Sequence, residues 1–257
     1  MDWNSKQYLK FKTERTQPAI DLANRINIDN PKKMIDIGCG PGNSTQVLSS
    51  RYPSAYILGV DKSEDMISSA KKEHPNLDFM ICDVNVELPQ FNNKFDIVFS
   101  NACIQWIPDH KQLIRNMLNL CNTKGILAVQ IPMNYEEPIH KIIGEVSTSD
   151  KWKEFFVEPR VFYTLSQGEY FDLLSEICDD FDIWETVYYH VMESYDDILE
   201  WYCGTGLRPY LDVLPDHKKK EFESDIMINL IKRYPKQKNG DIIFKFPRFF
   251  FTAHPKR

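Results

Sequence analysis

Five short β-branched and aromatic runs, at 34–38, 56–61, 77–83, 95–101 and 125–131, alternate with helix-patterned segments through the first half of this 257-residue chain. Each strand of a parallel sheet must be followed by a crossover, so this alternation restricts the chain to right-handed βαβ units. The helix signals agree. Ser63 is placed to cap a helix, Glu64 and Asp65 suit its positive end, and Lys71 and Lys72 suit its negative end. Its Met66, Ile67 and Ala70 then face the sheet. After Pro108 a further helix gathers Leu113, Met117 and Leu120 on one side.

The rhythm changes in the second half, where helical segments lie between two long strand-like runs, 182–192 and 241–254. Ser166 and Glu169 have capping-box spacing and open a helix with Phe171, Leu174 and Ile177 on one side. Further helices are expected at 194–203, showing Tyr195, Leu199 and Tyr202, and near 215–234, showing Phe222, Ile226, Leu230 and Tyr234. No internal repeat or low-complexity linker interrupts the chain. The expected fold is α/β, a doubly wound, mostly parallel, seven-stranded Rossmann-like sheet in a single domain spanning 1–257. The stretches 132–181 and 193–240 are expected to form a helical cap over the active site. Ligands of such sheets bind outside the C-terminal strand ends, where the strand order reverses.

Composition narrows the partners. A net charge of −6, without a basic stripe, argues against a nucleic-acid footprint. The six cysteines form no CxxC pair, and there is no HExxH or clustered Cys/His spacing, so no metal site is expected and the thiols read as reduced. The first residues are charged throughout, and no window approaches 18 uninterrupted apolar residues. A cytoplasmic protein with no membrane partner is the expectation.

The strongest local signal is the run Asp36-Ile37-Gly38-Cys39-Gly40-Pro41-Gly42, directly after the first strand and before a helix. Glycines let the backbone turn sharply and approach a ligand, while the helix N-terminus offers unpaired N–H donors. The second run ends in Asp61, where a carboxylate can take both hydroxyls of a ribose, and the third ends in Asp83, beside the place of an adenine. Three acids on successive strand ends favour a nucleoside-bearing cofactor over a bare phosphate. A dinucleotide fingerprint would want Gly or Ala at the sixth position of G-x-G-x-x-G/A, where this chain has Asn43.

The spacing D-x-G-x-G-x-G resembles motif I of the class I S-adenosylmethionine-dependent methyltransferases. That resemblance implies S-adenosylmethionine as cofactor. The Asp36, Gly38 and Gly40 loop would pass under its methionine part, Asp61 and the adjacent Lys62 would lie at its ribose, and Asp83 with the Val84 amide would lie at its adenine. The segments 2–19, 36–45, 101–110, 205–211 and 246–251 resemble a narrower family in that class, the trans-aconitate methyltransferases, over nearly the whole chain. Lys62 departs from the small polar residue usual there, and 147–168 is divergent. The narrower resemblance implies methyl transfer to one carboxylate of a small polycarboxylic acid. The alternative is another small acceptor, a phenol or an amine.

A carboxylate is already ionised at pH 7, so such chemistry needs positioning and fixed cations rather than a base. Arg208, held between a glycine turn and Pro209, and Arg248, in an apolar run beside Pro247, are the candidate cations. An N-terminal helical segment within 1–30 is expected to close over the cofactor, with Tyr8 and Arg15 at helical spacing and Arg15 holding the methionine carboxylate. Asn101, Gln105 and Trp106 end the fourth run and begin its loop, where cofactor and acceptor meet. Gln105 would donate to a carboxylate and Trp106 would wall the cavity. Tyr170 and Tyr189 are candidate pocket linings.

Overall fold

The computed structural model describes residues 12–91, 95–157, 163–204 and 206–256, the side chains of 12, 13 and 15 excepted. Its sheet is built from β1 (Lys33–Ile37), β2 (Tyr56–Asp61), β3 (Asp78–Ile81), β4 (Phe95–Asn101), β5 (Cys121–Pro132), β6 (Cys178–Met192) and β7 (Ile242–Pro255). The strand order is β3-β2-β1-β4-β5-β7-β6, with β1 to β5 parallel and β7 antiparallel to β5. This is the expected doubly wound sheet, and its order reverses between β1 and β4.

The crossovers are α1 (Lys12–Arg25) ahead of the sheet, α2 (Asn43–Arg51), α3 (Glu64–Glu73) and α4 (His110–Leu120). Ser63 caps α3 by accepting from the Met66 amide, and Asp109 caps α4 by accepting from the Gln112 amide. The buried faces are Ile67 and Ala70 on α3, and Leu113, Met117 and Leu120 on α4, as the periodicity predicts. The remaining helices are α5 (Pro138–Ser147), α6 (Gln167–Ile177), α7 (Tyr195–Cys203), α8 (Arg208–Leu211) and α9 (Asp216–Arg233). The Ser166–Glu169 capping box forms. The buried stripe of α6 is Tyr170, Leu173 and Leu174, and Phe171 is half exposed, because the helix turns a different face inward from the one chosen by spacing.

The chain divides into two compact units. One holds the described residues of 15–132, 163–186 and 248–256, and contains β1 to β5 with α2, α3, α4 and α6. The helix α6, expected in the cap, belongs to this sheet unit. Tyr170 lies on Phe249 of β7 with ring centroids 5.3 Å apart, and Trp184 stacks on Phe250 at 5.1 Å.

The other unit holds the described parts of 1–14, 133–161 and 187–247 and has its own aromatic core. Trp152 meets Phe222 edge-on at 5.1 Å, and Phe244 packs with Trp201, Tyr202 and Tyr234. The α9 residues Phe222, Ile226 and Leu230 are fully buried there. Truncating a side chain such as Phe222 to Ala would cost ~3–5 kcal/mol. β6 and β7 contribute residues to both units.

Candidate active site

The loop after β1 is shaped by glycines in the left-handed region. Gly38 sits at φ 72° and its amide donates to the Val60 carbonyl at 2.8 Å, while Gly40 sits at φ 53°. A Cβ at Gly38 would fall 2.1 Å from the Cys103 sulfur, so no other residue fits. A Cβ at Gly40 would meet nothing within 4 Å, leaving open space over the loop backbone.

Asp36 is fully buried under this loop. Its Oδ2 accepts from the Ser44 and Thr45 hydroxyls at 2.6 Å each, and its Oδ1 has no partner among the described residues. Burial pushes the carboxyl up to about 6, against the lowering effect of the two hydroxyls. Sequence reading missed Ser44 and Thr45. Their signal was two hydroxyl residues in the first turn of the helix that follows the glycine loop, eight and nine residues after the acid.

Asp61, at the end of β2, accepts from the Gly40 amide at 3.0 Å and the Ser63 amide at 2.9 Å, tying the glycine loop to the neighbouring strand. Asp83 pairs with Lys62 at 2.7 Å, and that hydrogen bond holds its carboxyl below the usual range. Lys62 thus reaches the third strand end, and its side chain is largely exposed. Val84 is buried beside Asp83.

β4 delivers a second loop, 102–109, to the same edge. Ala102, φ 52°, donates its amide to the Gln130 carbonyl of β5, and Asp109, φ 51°, closes the loop. Between them Ile104–Trp106 form one tight 3₁₀ turn. Gln105 Nε2 donates to the Ala102 carbonyl at 2.8 Å, and the buried Gln105 Oε1 and Asn101 Oδ1 have no partner among the described residues. Trp106 is half exposed. Arg248 is buried on β7 and donates to Gln130 Oε1 at 3.2 Å.

The remaining candidates are carried by other elements. Tyr170 is fully buried in the sheet unit, and its hydroxyl meets His110 Nδ1 at 2.5 Å, so it is a core group and not a pocket lining. Arg208 begins α8 in the second unit, half-buried, with Nε 3.8 Å from Asp212. Tyr189, in the same unit, is exposed. Tyr8 and the Arg15 side chain lie outside the described residues, although the Arg15 backbone is in α1. A cleft of about 640 Å³ lined by Lys32, Lys33, Tyr56, Leu58, Met80, Phe91 and Phe95 opens at the opposite, N-terminal strand ends. Among the described residues no group of three or more His, Cys, Asp or Glu side chains is arranged to hold a metal, and no helix is long and apolar enough to cross a membrane.

Glycine backbone, an orphaned buried acid oxygen and strand-end carboxylates on β2 and β3 fit a nucleoside with a cationic amino-acid tail. A family model for a methyltransferase domain matches residues 28–203. The YcgJ protein from Bacillus subtilis has a similar fold, with TM-score 0.62 and 15% identity over 94% of this chain and 99% of that one. The sheet and its first loop define a class I S-adenosylmethionine-dependent methyltransferase. Trans-aconitate 2-methyltransferase of Rhodopseudomonas palustris (strain BisB5) is 39% identical over 254 residues, and that of Escherichia coli O139:H28 is 40% identical over 252, each alignment covering 98% of both chains. The chain belongs to the trans-aconitate 2-methyltransferase family.

Proposed function

We propose that this enzyme transfers a methyl group from S-adenosylmethionine to one carboxylate of trans-aconitate or a closely related small polycarboxylic acid. The products are the monomethyl ester and S-adenosylhomocysteine. The observation that carries this reading is the likeness, over 98% of the chain, to relatives bearing that name. The chemistry of the β4 edge supports it over a phenol or amine acceptor. Asn101 and Gln105 there are amides, which hold an acceptor without deprotonating it, and the imidazole of His110 is engaged at both nitrogens. An acid that is ionised at neutral pH needs no base.

When bound, the cofactor supplies an electrophilic methyl on a sulfonium. Asp36 Oδ1 would take its ammonium, Asp61 its ribose hydroxyls, and Asp83 with the Val84 amide its adenine, while Gly38 and Gly40 let its tail lie against backbone. Lys62 pairs with Asp83 at the cofactor edge, Asn101 completes that edge, and Tyr8 and Arg15 are proposed to close over the methionine part. On the acceptor side Gln105 would donate to the reacting carboxylate and Trp106 would exclude water. Arg248 would neutralise a carboxylate that does not react, and Arg208 and Tyr189 are proposed as acceptor residues on the family resemblance alone. Attraction between anion and sulfonium is lost as the methyl moves, so catalysis rests on alignment, an effect worth ~7–11 kcal/mol. The reading makes this a cytoplasmic enzyme of a small dissolved acid, needing no membrane, nucleic acid or obligatory protein partner.

The test is transfer of labelled methyl to trans-aconitate, cis-aconitate, isopropylmalate, citrate and a set of phenols and amines, scored for a base-labile product. A strong base-labile signal from trans-aconitate is expected, with the acceptor KM raised in Arg248→Ala and Arg208→Ala. Activity on a phenol or amine alone would overturn the acceptor assignment.

A further inference from the structure

The 102–109 loop holds two non-glycine residues in the left-handed region, Ala102 and Asp109, a conformation that side chains resist unless surrounding contacts enforce it. Its internal bonds include Trp106 N to Cys103 O at 3.1 Å, Ile107 N to Ile104 O at 2.9 Å, and Gln105 Nε2 to Ala102 O. Beside the Ala102–Gln130 bond, a side-chain contact from outside the loop holds it. His110, 1% exposed at the start of α4, donates Nε2–H to the Ile104 carbonyl at 2.8 Å. That bond puts the proton on Nε2 and leaves Nδ1 an acceptor, so the Tyr170 hydroxyl on α6 donates to Nδ1.

Tyr170 is itself fixed. It has no exposed surface and lies on Phe249 and near Phe251 of β7, at centroid distances of 5.3 and 5.9 Å. A continuous chain therefore runs from β7 through Tyr170 and His110 to the carbonyl of Ile104, one residue before Gln105 and two before Trp106. Both imidazole nitrogens are used, and burial lowers the tendency of His110 to protonate, so the ring serves as a strut and not as a proton carrier.

We infer that His110 and Tyr170 are positioning residues for methyl transfer, fixing through the Ile104 carbonyl the turn on which Gln105 and Trp106 meet the acceptor. The inference rests on the acceptor-side role proposed for that turn.

Three variants test it: His110→Leu, which removes the donor; His110→Gln, whose amide can replace it; and Tyr170→Phe, which keeps the stacked ring and removes only the hydroxyl. Hydrogen exchange of the peptide covering 102–109 is read beside acceptor kcat and S-adenosylhomocysteine affinity. Exchange of the Trp106 and Ile107 amides is expected to quicken about tenfold in His110→Leu and Tyr170→Phe. Kcat should fall roughly a hundredfold in His110→Leu, as for a misplacement of about 1 Å, and about tenfold less in His110→Gln, with product affinity within about threefold of wild type. Unchanged exchange in both His110→Leu and Tyr170→Phe would overturn the inference. So would quickened exchange with wild-type kcat, or a loss of product affinity equal to the loss of turnover. A wild-type enzyme that methylates none of the polycarboxylates refutes the acceptor proposal instead, and exchange then decides by itself whether the strut exists.

Discussion

The loops after β1 and β4 leave neighbouring strands at the reversal of the sheet, and both need left-handed backbone, but they obtain it differently. The first places Gly38, Gly40 and Gly42 at φ 72°, 53° and 92°, where glycine carries no steric penalty. The second places Ala102 and Asp109 at 52° and 51° and depends on Gln130, His110 and Tyr170 to hold them there. A loop whose glycines accept the left-handed backbone without strain needs only its bonds to β2 and Asp61 to fix it, whereas a loop of strained residues held by side chains distant in sequence can be loosened from afar.

The largest expected effect breaks the glycine loop. Gly38→Ala combines a left-handed alanine with overlap against Cys103 and should cost about 4 kcal/mol. Calorimetric titration should show S-adenosylhomocysteine affinity reduced at least a hundredfold, alongside a lowered Tm.

Next is the acid beneath that loop. Folding raises the Asp36 carboxyl from 3.8 to about 6, so the folded state binds the proton more tightly. Stability is then highest below the unfolded value and falls as pH rises through the window from 3.8 to about 6, by on the order of 3 kcal/mol. Urea unfolding across that window should show this decline, and Asp36→Asn should flatten it.

Ala102→Gly sharpens the contrast from the other side. Relief of the left-handed alanine should stabilise the fold by about 0.5–1 kcal/mol, yet turnover should fall severalfold as the freed loop samples other conformations. Equal or raised kcat would mean that the loop does not depend on being held. The smallest effect is expected for Lys62→Ala. The Lys62–Asp83 pair is mostly exposed, so cofactor affinity should change by no more than about threefold.

The sheet and the cofactor loop were legible in the sequence because their signals are local: β-branched runs of strand length, helix caps such as Ser63 and Ser166, and a glycine motif with an acid two residues before its first glycine. The acceptor side was legible only in part. Gln105 and Trp106 were found at the end of a strand run, but Tyr170 was misread as a pocket residue because an aromatic on an amphipathic helix looks the same whether it faces a ligand or a core. His110 was passed over because its partners, Ile104 and Tyr170, are 6 and 60 residues away and follow no short-range pattern. The membership of α6 in the sheet unit likewise rests on contacts with β7, more than seventy residues onward, that no periodicity announces.

Cys39, within the glycine loop, and Cys103, packed against Gly38, place sulfur beside a site that handles an electrophilic methyl group. Thiolate attacks such carbon readily and thiol does not. Burial, reinforced by the nearby Asp61 and Asp36 carboxylates, pushes Cys103 up to about 12, and burial together with Asp36 pushes Cys39 higher still. At neutral pH the Cys103 thiol stays protonated. Burial first, and the acidic surroundings that suit a cationic donor second, therefore hold the sulfur beside this loop in its protonated, weakly nucleophilic form.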